Sequence, residues 1–145
     1  MKKIILILLS VCLAAGSYAQ DIAGTWEGVI TQDEGGVAAT YTFKIFLKTS
    51  KTKEVSGTAF VALEDMDIYA SMRFSGTFDG TYLDLKEEKI LREKMVEDFF
   101  WCLKEYQLKL LPGEKLRLEG RWSGYTRDGG CVPGEIYLTK SIPRV

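Results

Sequence analysis

Residues 37–49 carry the clearest hydrophobic–polar alternation in the chain. Ala39, Tyr41, Phe43, Ile45 and Leu47 fall on one parity, and Thr40, Thr42, Lys44 and Lys48 on the other. A period of two marks a strand with one dry and one wet face. The same pattern predicts strands over residues 22–32 (Trp26 and Ile30 against Thr25, Glu27 and Thr31), 55–64 (Val55, Ala59, Val61 and Leu63 against Ser56, Thr58 and Glu64) and 68–78 (Ile68, Ala70, Met72 and Phe74 against Tyr69, Ser71, Arg73 and Ser75). It continues from Tyr82 with Leu83 and Leu85, over 115–126 with Leu116, Leu118 and Trp122, and over 135–140 with Ile136 and Leu138. Turn chemistry separates these runs: Asp33-Glu34-Gly35-Gly36, the segment 50–53, Asp79-Gly80 and Pro112-Gly113.

Residues 86–106 fit two templates, because Ile90, Leu91, Met95, Phe99 and Cys102 also match a helix face among good helix formers. No N-cap opens such a helix, and Phe99-Phe100-Trp101 favours a strand. The expectation is a fifth strand to about Leu91, a connection through Glu97 with room for a helical turn, and a sixth strand over 99–111.

Eight consecutive strands with short connections predict an all-β chain folded as a single up-and-down antiparallel β-barrel of about eight strands, a sheet that removes its edges by closing. The outer faces are polar. Lys44, Lys48, Arg73, Arg117 and Arg121 would meet lipid in a membrane barrel, which argues against that class.

A glycine pattern overlies the strands: Gly24-Thr25-Trp26-Glu27-Gly28 recurs as Gly76-Thr77-Phe78-Asp79-Gly80 and as Gly120-Arg121-Trp122-Ser123-Gly124. Each aromatic shares a face with its glycines, where the absence of a Cβ permits close approach and bending. With Trp26 on the first strand and Trp122 on the seventh, both rings are expected to close the barrel near the seam between its first and last strands.

Composition narrows the class further. Residues 1–19 read as a signal peptide, with Lys2-Lys3, an apolar core and the site Ser17-Tyr18-Ala19, leaving residues 20–145 as one barrel domain in a secreted or periplasmic protein. A rival reading, Cys12 as a lipid-attachment cysteine, fits poorly beside the branched Val11. Loss of Lys2 and Lys3 leaves 17 basic residues against 20 acidic ones, a net charge of about −3. No basic cluster exceeds a dipeptide, so a nucleic-acid partner has no footprint. Histidine is absent from the whole chain, which removes imidazole-based triads and histidine metal sites. Cys102 and Cys131 remain after the leader is gone, and in an oxidising compartment they are expected to form a disulfide, stapling the loop 127–134 to the start of the sixth strand. Such a closure contributes on the order of 3 to 4 kcal/mol.

With a Gly-x-Trp near the start of the first strand, eight meandering strands and a secretory leader, the chain resembles the calycin-like barrels: lipocalins, fatty-acid-binding proteins and avidins. In lipocalins that Trp closes one end of the barrel beneath a basic side chain of a late strand; Arg121 and Lys140 are the positions here that the resemblance points to. It implies no particular ligand.

Parity turns Glu87 inward, and a lone inward carboxylate is costly unless paired or functional. Lys104 shares the parity of Tyr106, Leu108 and Leu110 and is the partner available to it, although a bulge near Trp101 would reverse both orientations. Glu64, Asp65 and Asp67 lack the Gly and distal Glu of a dedicated calcium loop. The expected function is therefore a non-enzymatic binding barrel for a small, largely apolar ligand among Trp26, Tyr41, Phe74, Tyr106 and Trp122, with Glu87 and Lys104 as polar handles and neither cofactor nor metal. The alternative is a filled barrel that meets a protein partner through outward residues such as Phe60 and Tyr69. Oligomeric state is left open by the sequence.

Overall fold

A computed structural model describes residues 21–142. The leader assigned to residues 1–19 lies outside the described residues. The strands are β1 (Gly24–Thr31), β2 (Thr40–Thr49), β3 (Glu54–Leu63), β4 (Ile68–Phe78), β5 (Tyr82–Lys94), β6 (Leu103–Leu111), β7 (Arg117–Thr126), the two-residue β8 (Gly129–Gly130) and β9 (Gly134–Lys140), with one 3-10 turn at Glu64–Met66. Each of β1 to β7 pairs antiparallel with the next, and β9 pairs with both β7 and β1. The result is a closed eight-stranded up-and-down barrel with β8 as a short addition on β7. No helix among the described residues is long and apolar enough to cross a membrane.

The alternation decides what lies inside. Tyr41, Phe43, Ile45 and Leu47 of β2 are buried, as are Ile68, Ala70, Met72 and Phe74 of β4 and Leu108, Leu118, Ile136 and Leu138 on the later strands. Because one face of every strand enters a common core, a slip of one residue would expose that face, which fixes the register. These side chains form one core cluster within the barrel.

Two expectations for the middle of the chain are corrected. Residues 99–102 do not belong to β6, which begins only at Leu103, although the preference for strand over helix between residues 86 and 106 holds. β5 instead runs on to Lys94, past the expected end at Leu91. It does so with two irregularities, since Phe74 faces Glu87 while Arg73 faces Lys89, and Met72 faces Ile90 while Ser71 faces Arg92. Glu88 and Leu91 are the residues skipped, and each bulge lengthens β5 relative to β4 and increases its bend.

The glycine pattern divides by role. A Cβ on Gly28 would lie 1.9 Å from the Tyr137 carbonyl oxygen, and one on Gly120 would lie 1.9 Å from that of Gln107, so at these positions the neighbouring backbone fills the side-chain space. Gly80 serves the Asp79-Gly80 turn instead, with φ +100°. The two tryptophans flank the seam as expected, with β9 alone between their strands, but not at one height. Trp26 faces Lys140 across β1 and β9, whereas Trp122 faces Gly134 across β7 and β9, so six positions of β9 separate them and they serve opposite ends of the barrel.

Those ends differ. At the Trp26 end the connections are the polar 50–53, 79–81 and 112–116 segments, and the chain enters and leaves there: Ser141 N–H donates to the Thr25 carbonyl, and Lys140 Nζ to that of Asp21. The indole N–H of Trp26 donates to the carbonyl of buried Ile22 at 2.9 Å. The Trp122 end carries the other four connections, with Val37, Met66, Met95, Val96 and Phe100 exposed among them.

Candidate functional site

Where β5 and β6 part, the barrel wall contains its only fully buried charges among the described residues, Glu87 and Lys104. The β5–β6 ladder ends at Lys86 opposite Glu105, so the next backbone donor, Lys104 N–H, has no strand partner there. The side chain of Glu87 takes it: Oε1 accepts from Lys104 N–H at 3.0 Å and from Lys104 Nζ at 2.8 Å. Oε2 accepts from the Tyr106 hydroxyl at 3.5 Å, and Lys104 Nζ donates a second bond to the Cys102 carbonyl at 3.4 Å. Phe43 lies beneath, its ring centroid 5.7 Å from Nζ and edge-on to Tyr106 at 5.9 Å. The inward parity of both residues and their pairing follow the sequence expectation, and the bulges fall on Glu88 and Leu91, beyond the point where they would reverse it.

Burial pushes the Glu87 carboxyl above its ordinary range, opposed by the charge and hydrogen bonds of Lys104. The Tyr106 hydroxyl is pushed far up by burial, with the nearby Glu87 charge adding to it. A buried pair of this kind is held by its hydrogen bonds as much as by Coulomb attraction, because each charge alone would be strongly disfavoured in the core.

Above the pair, at the Trp122 end, a recess of about 60 Å³ opens among Ile30, Gln32, Tyr41, Val61, Phe99, Trp101, Lys104 and Trp122. Its rim is hydrogen-bonded. The Tyr41 hydroxyl donates to Gln32 Oε1, Gln32 Nε2 donates to the Val132 carbonyl at 3.1 Å, and the Trp122 indole N–H donates to the Thr31 carbonyl at 2.8 Å. Burial raises the Tyr41 hydroxyl above its usual range. Cys102 and Cys131 form the expected disulfide, and Cys131 N–H donates to the Gly124 carbonyl at 2.9 Å, so the loop after β7 is tied to the chain entering β6.

Of the seven residues singled out in the sequence, Tyr41, Lys104 and Trp122 line this recess, and Glu87 and Tyr106 form the polar cluster against Lys104. Trp26 and Phe74 lie in the core away from it. Gln32, Phe99 and Trp101 line it without having been singled out. The available signal was the aromatic run 99–101 beside a cysteine, which matched a strand opening just as well. The two basic positions considered for the Trp26 end also separate. Lys140 lies there, whereas Arg121 holds Asp33 and Glu135, both at 2.7 Å, at the opposite end. In the acidic turn Glu64 accepts from Thr42, and Asp67 pairs with Lys94. Among the described residues no three metal-donor side chains converge.

The architecture is thus a closed antiparallel barrel of eight strands, calycin-like at the level of strand count and closure. Comparison of the chain with models of known protein families and with curated protein sequences finds no match.

Proposed function

We propose that the protein is a non-enzymatic binding barrel that takes a small, largely apolar ligand at its Trp122 end, and that it is secreted or periplasmic. The observation that carries this reading is the aromatic-lined recess with a buried ion pair at its floor: Tyr41 and Trp122 supply flat apolar walls, and Lys104 supplies a charged donor held in place by Glu87. Binding sites combine a mostly apolar lining with a few fixed polar groups in this way. The disulfide is compatible with an oxidising compartment, as is the leader expected over residues 1–19.

The test is a titration of the secreted protein with the neutral apolar fluorophore N-phenyl-1-naphthylamine. Saturable one-to-one binding at micromolar protein, weakened by Trp122→Ala, supports the reading. Absence of any saturable change overturns it.

A second reading, a filled barrel acting through its outer face, has one observation in its favour. Phe60 and Tyr69 stack on the outside of β3 and β4 with ring centroids 6.0 Å apart, an apolar pair that contributes nothing to the core. It predicts that the same titration is flat while the Phe60→Ala, Tyr69→Ala variant retains full stability.

A further inference from the structure

The recess is too small for most ligands, and what keeps it small is not part of the barrel's hydrogen-bonded wall. From Glu88 to Lys94, β5 has β4 as its ladder neighbour and no partner on the β6 side, since that ladder stops at Lys86 and β6 begins at Leu103. The gap is filled by residues 95–102, which pair with no strand. Within this strap the one backbone hydrogen bond outside strands runs from Phe99 N–H to the Val96 carbonyl, and Asp98 turns the chain at φ +63°.

Side chains hold the strap down. Phe99 and Trp101 point into the mouth of the barrel and pack edge-to-face with centroids 4.8 Å apart, and Trp101 lies edge-on to Tyr41 at 6.4 Å. The Trp101 indole N–H reaches the Lys94 carbonyl at a long 3.3 Å. Phe100 faces outward, with the Arg127 guanidinium 4.4 Å from its ring centroid. The strap's far end is fixed by the Cys102–Cys131 bond. A segment with almost no ladder hydrogen bonds opens at far lower cost than the strands around it.

We propose that the strap is a displaceable stopper, and that the ligand is a flat, ring-bearing apolar molecule that takes the places of the Phe99 and Trp101 rings against Tyr41 and Val61. This rests on the binding reading above and names its ligand class and its gate. The recess of about 60 Å³ is well below the roughly 300 Å³ at which ligand pockets begin. Withdrawal of two aromatic rings enlarges it without breaking any strand pairing. An incoming ring restores the packing contacts that the two rings give up, which aliphatic chains of other shape restore less well. The disulfide keeps Cys102 and the start of β6 in place, so Lys104 remains over Glu87 while the strap moves.

The experiment combines N-phenyl-1-naphthylamine binding with hydrogen exchange read by mass spectrometry on the disulfide-intact protein. Peptides covering residues 95–101 are expected to exchange at least tenfold faster than those of β6 in the free protein, and faster still with the fluorophore bound. Trp101→Ala and the milder Phe99→Leu are expected to bind it at least tenfold more tightly, because each shortens the stopper. Weaker binding by the variants that fold, or strap exchange that slows or stays unchanged on binding, makes these rings walls and overturns the stopper while leaving the binding reading intact. The exchange measurement on the unmodified protein decides the matter if Trp101→Ala does not fold. No saturable binding by any form refutes the binding reading itself, and the stopper with it.

Discussion

Replacement of Lys104 by Met keeps the stem of the side chain and removes its charge, leaving the Glu87 carboxylate in the core without its cation. Breaking a buried pair from one side costs about 3–5 kcal/mol. Glu87 keeps the Lys104 backbone N–H at 3.0 Å and the Tyr106 hydroxyl at 3.5 Å, so the expected loss lies at the lower end, about 3 kcal/mol near neutral pH. The loss is also pH-dependent. Burial already raises the Glu87 carboxyl above its ordinary value of 4.5, and Lys104 opposes that rise. Without Lys104 the folded-state value climbs further. A carboxyl whose folded pKa lies above its unfolded one contributes stability that is fully present below the unfolded value and is lost as pH rises through the folded value. Lys104→Met is therefore expected to run parallel to the unmodified protein up to the latter's own raised Glu87 value and to fall away from it at up to about 1.4 kcal/mol per pH unit above that, until the carboxyl of the variant ionises. Urea unfolding followed by tryptophan emission across this range measures both quantities, since Trp26, Trp101 and Trp122 are all buried. The Glu87→Leu, Lys104→Met double variant, with neither charge left, should recover to within about 1 kcal/mol of the unmodified protein. A single-variant loss below about 1 kcal/mol, flat with pH, would mean that water reaches the carboxylate and that the pair is not a core element.

Three further outcomes are expected. Conversion of Cys102 and Cys131 to Ser opens a link spanning 29 positions and should lower unfolding free energy by about 3.5 kcal/mol in the chain-entropy model; a loss under about 1 kcal/mol in urea melts would show that the loop is held without it. Gly28→Ala, which sets a methyl group against the Tyr137 carbonyl, should cost about 3 kcal/mol or more, whereas Gly130→Ala, with open space around it, should stay within about 0.5 kcal/mol in the same melts. In an alkaline spectrophotometric titration, Tyr106 should be the last tyrosine to ionise, since burial and the Glu87 charge raise it; its contribution to stability is fully present below about pH 10 and is lost as pH rises through its folded value, so a Tyr106→Phe variant that leaves the late phase unchanged would contradict this assignment.

Most of the barrel was legible because a strand with one buried face writes its orientation into the sequence every second residue. Glu87 was legible for the same reason: an acid on the parity of Leu83 and Leu85 points inward whatever the neighbouring strand does. What parity does not carry is height along the barrel. Trp26 and Trp122 share an inward face and flank the same seam, yet their positions at opposite ends emerge only from the pairing of β9 with both neighbours. The strap was misread for a different reason. Phe99-Phe100-Trp101 has strong strand propensity, but β5 lengthened by bulges at Glu88 and Leu91 leaves no partner for those residues, and the Phe99 and Trp101 rings go into the barrel mouth instead. Propensity is local, and the absence of a partner is not.

The first and last described residues lie side by side at the Trp26 end, where the bond from Ser141 N–H to the Thr25 carbonyl joins their strands. Anything tethered to residue 21 or to residue 142, whether a purification handle, a sensor surface or a fused domain, therefore holds the barrel by its polar base and presents the strap and recess outward. The same proximity suits circular permutation. A short linker from residue 142 to residue 21 would let new ends be opened at the 50–53 turn without touching the mouth, giving a scaffold whose recess and attachment point can be engineered independently.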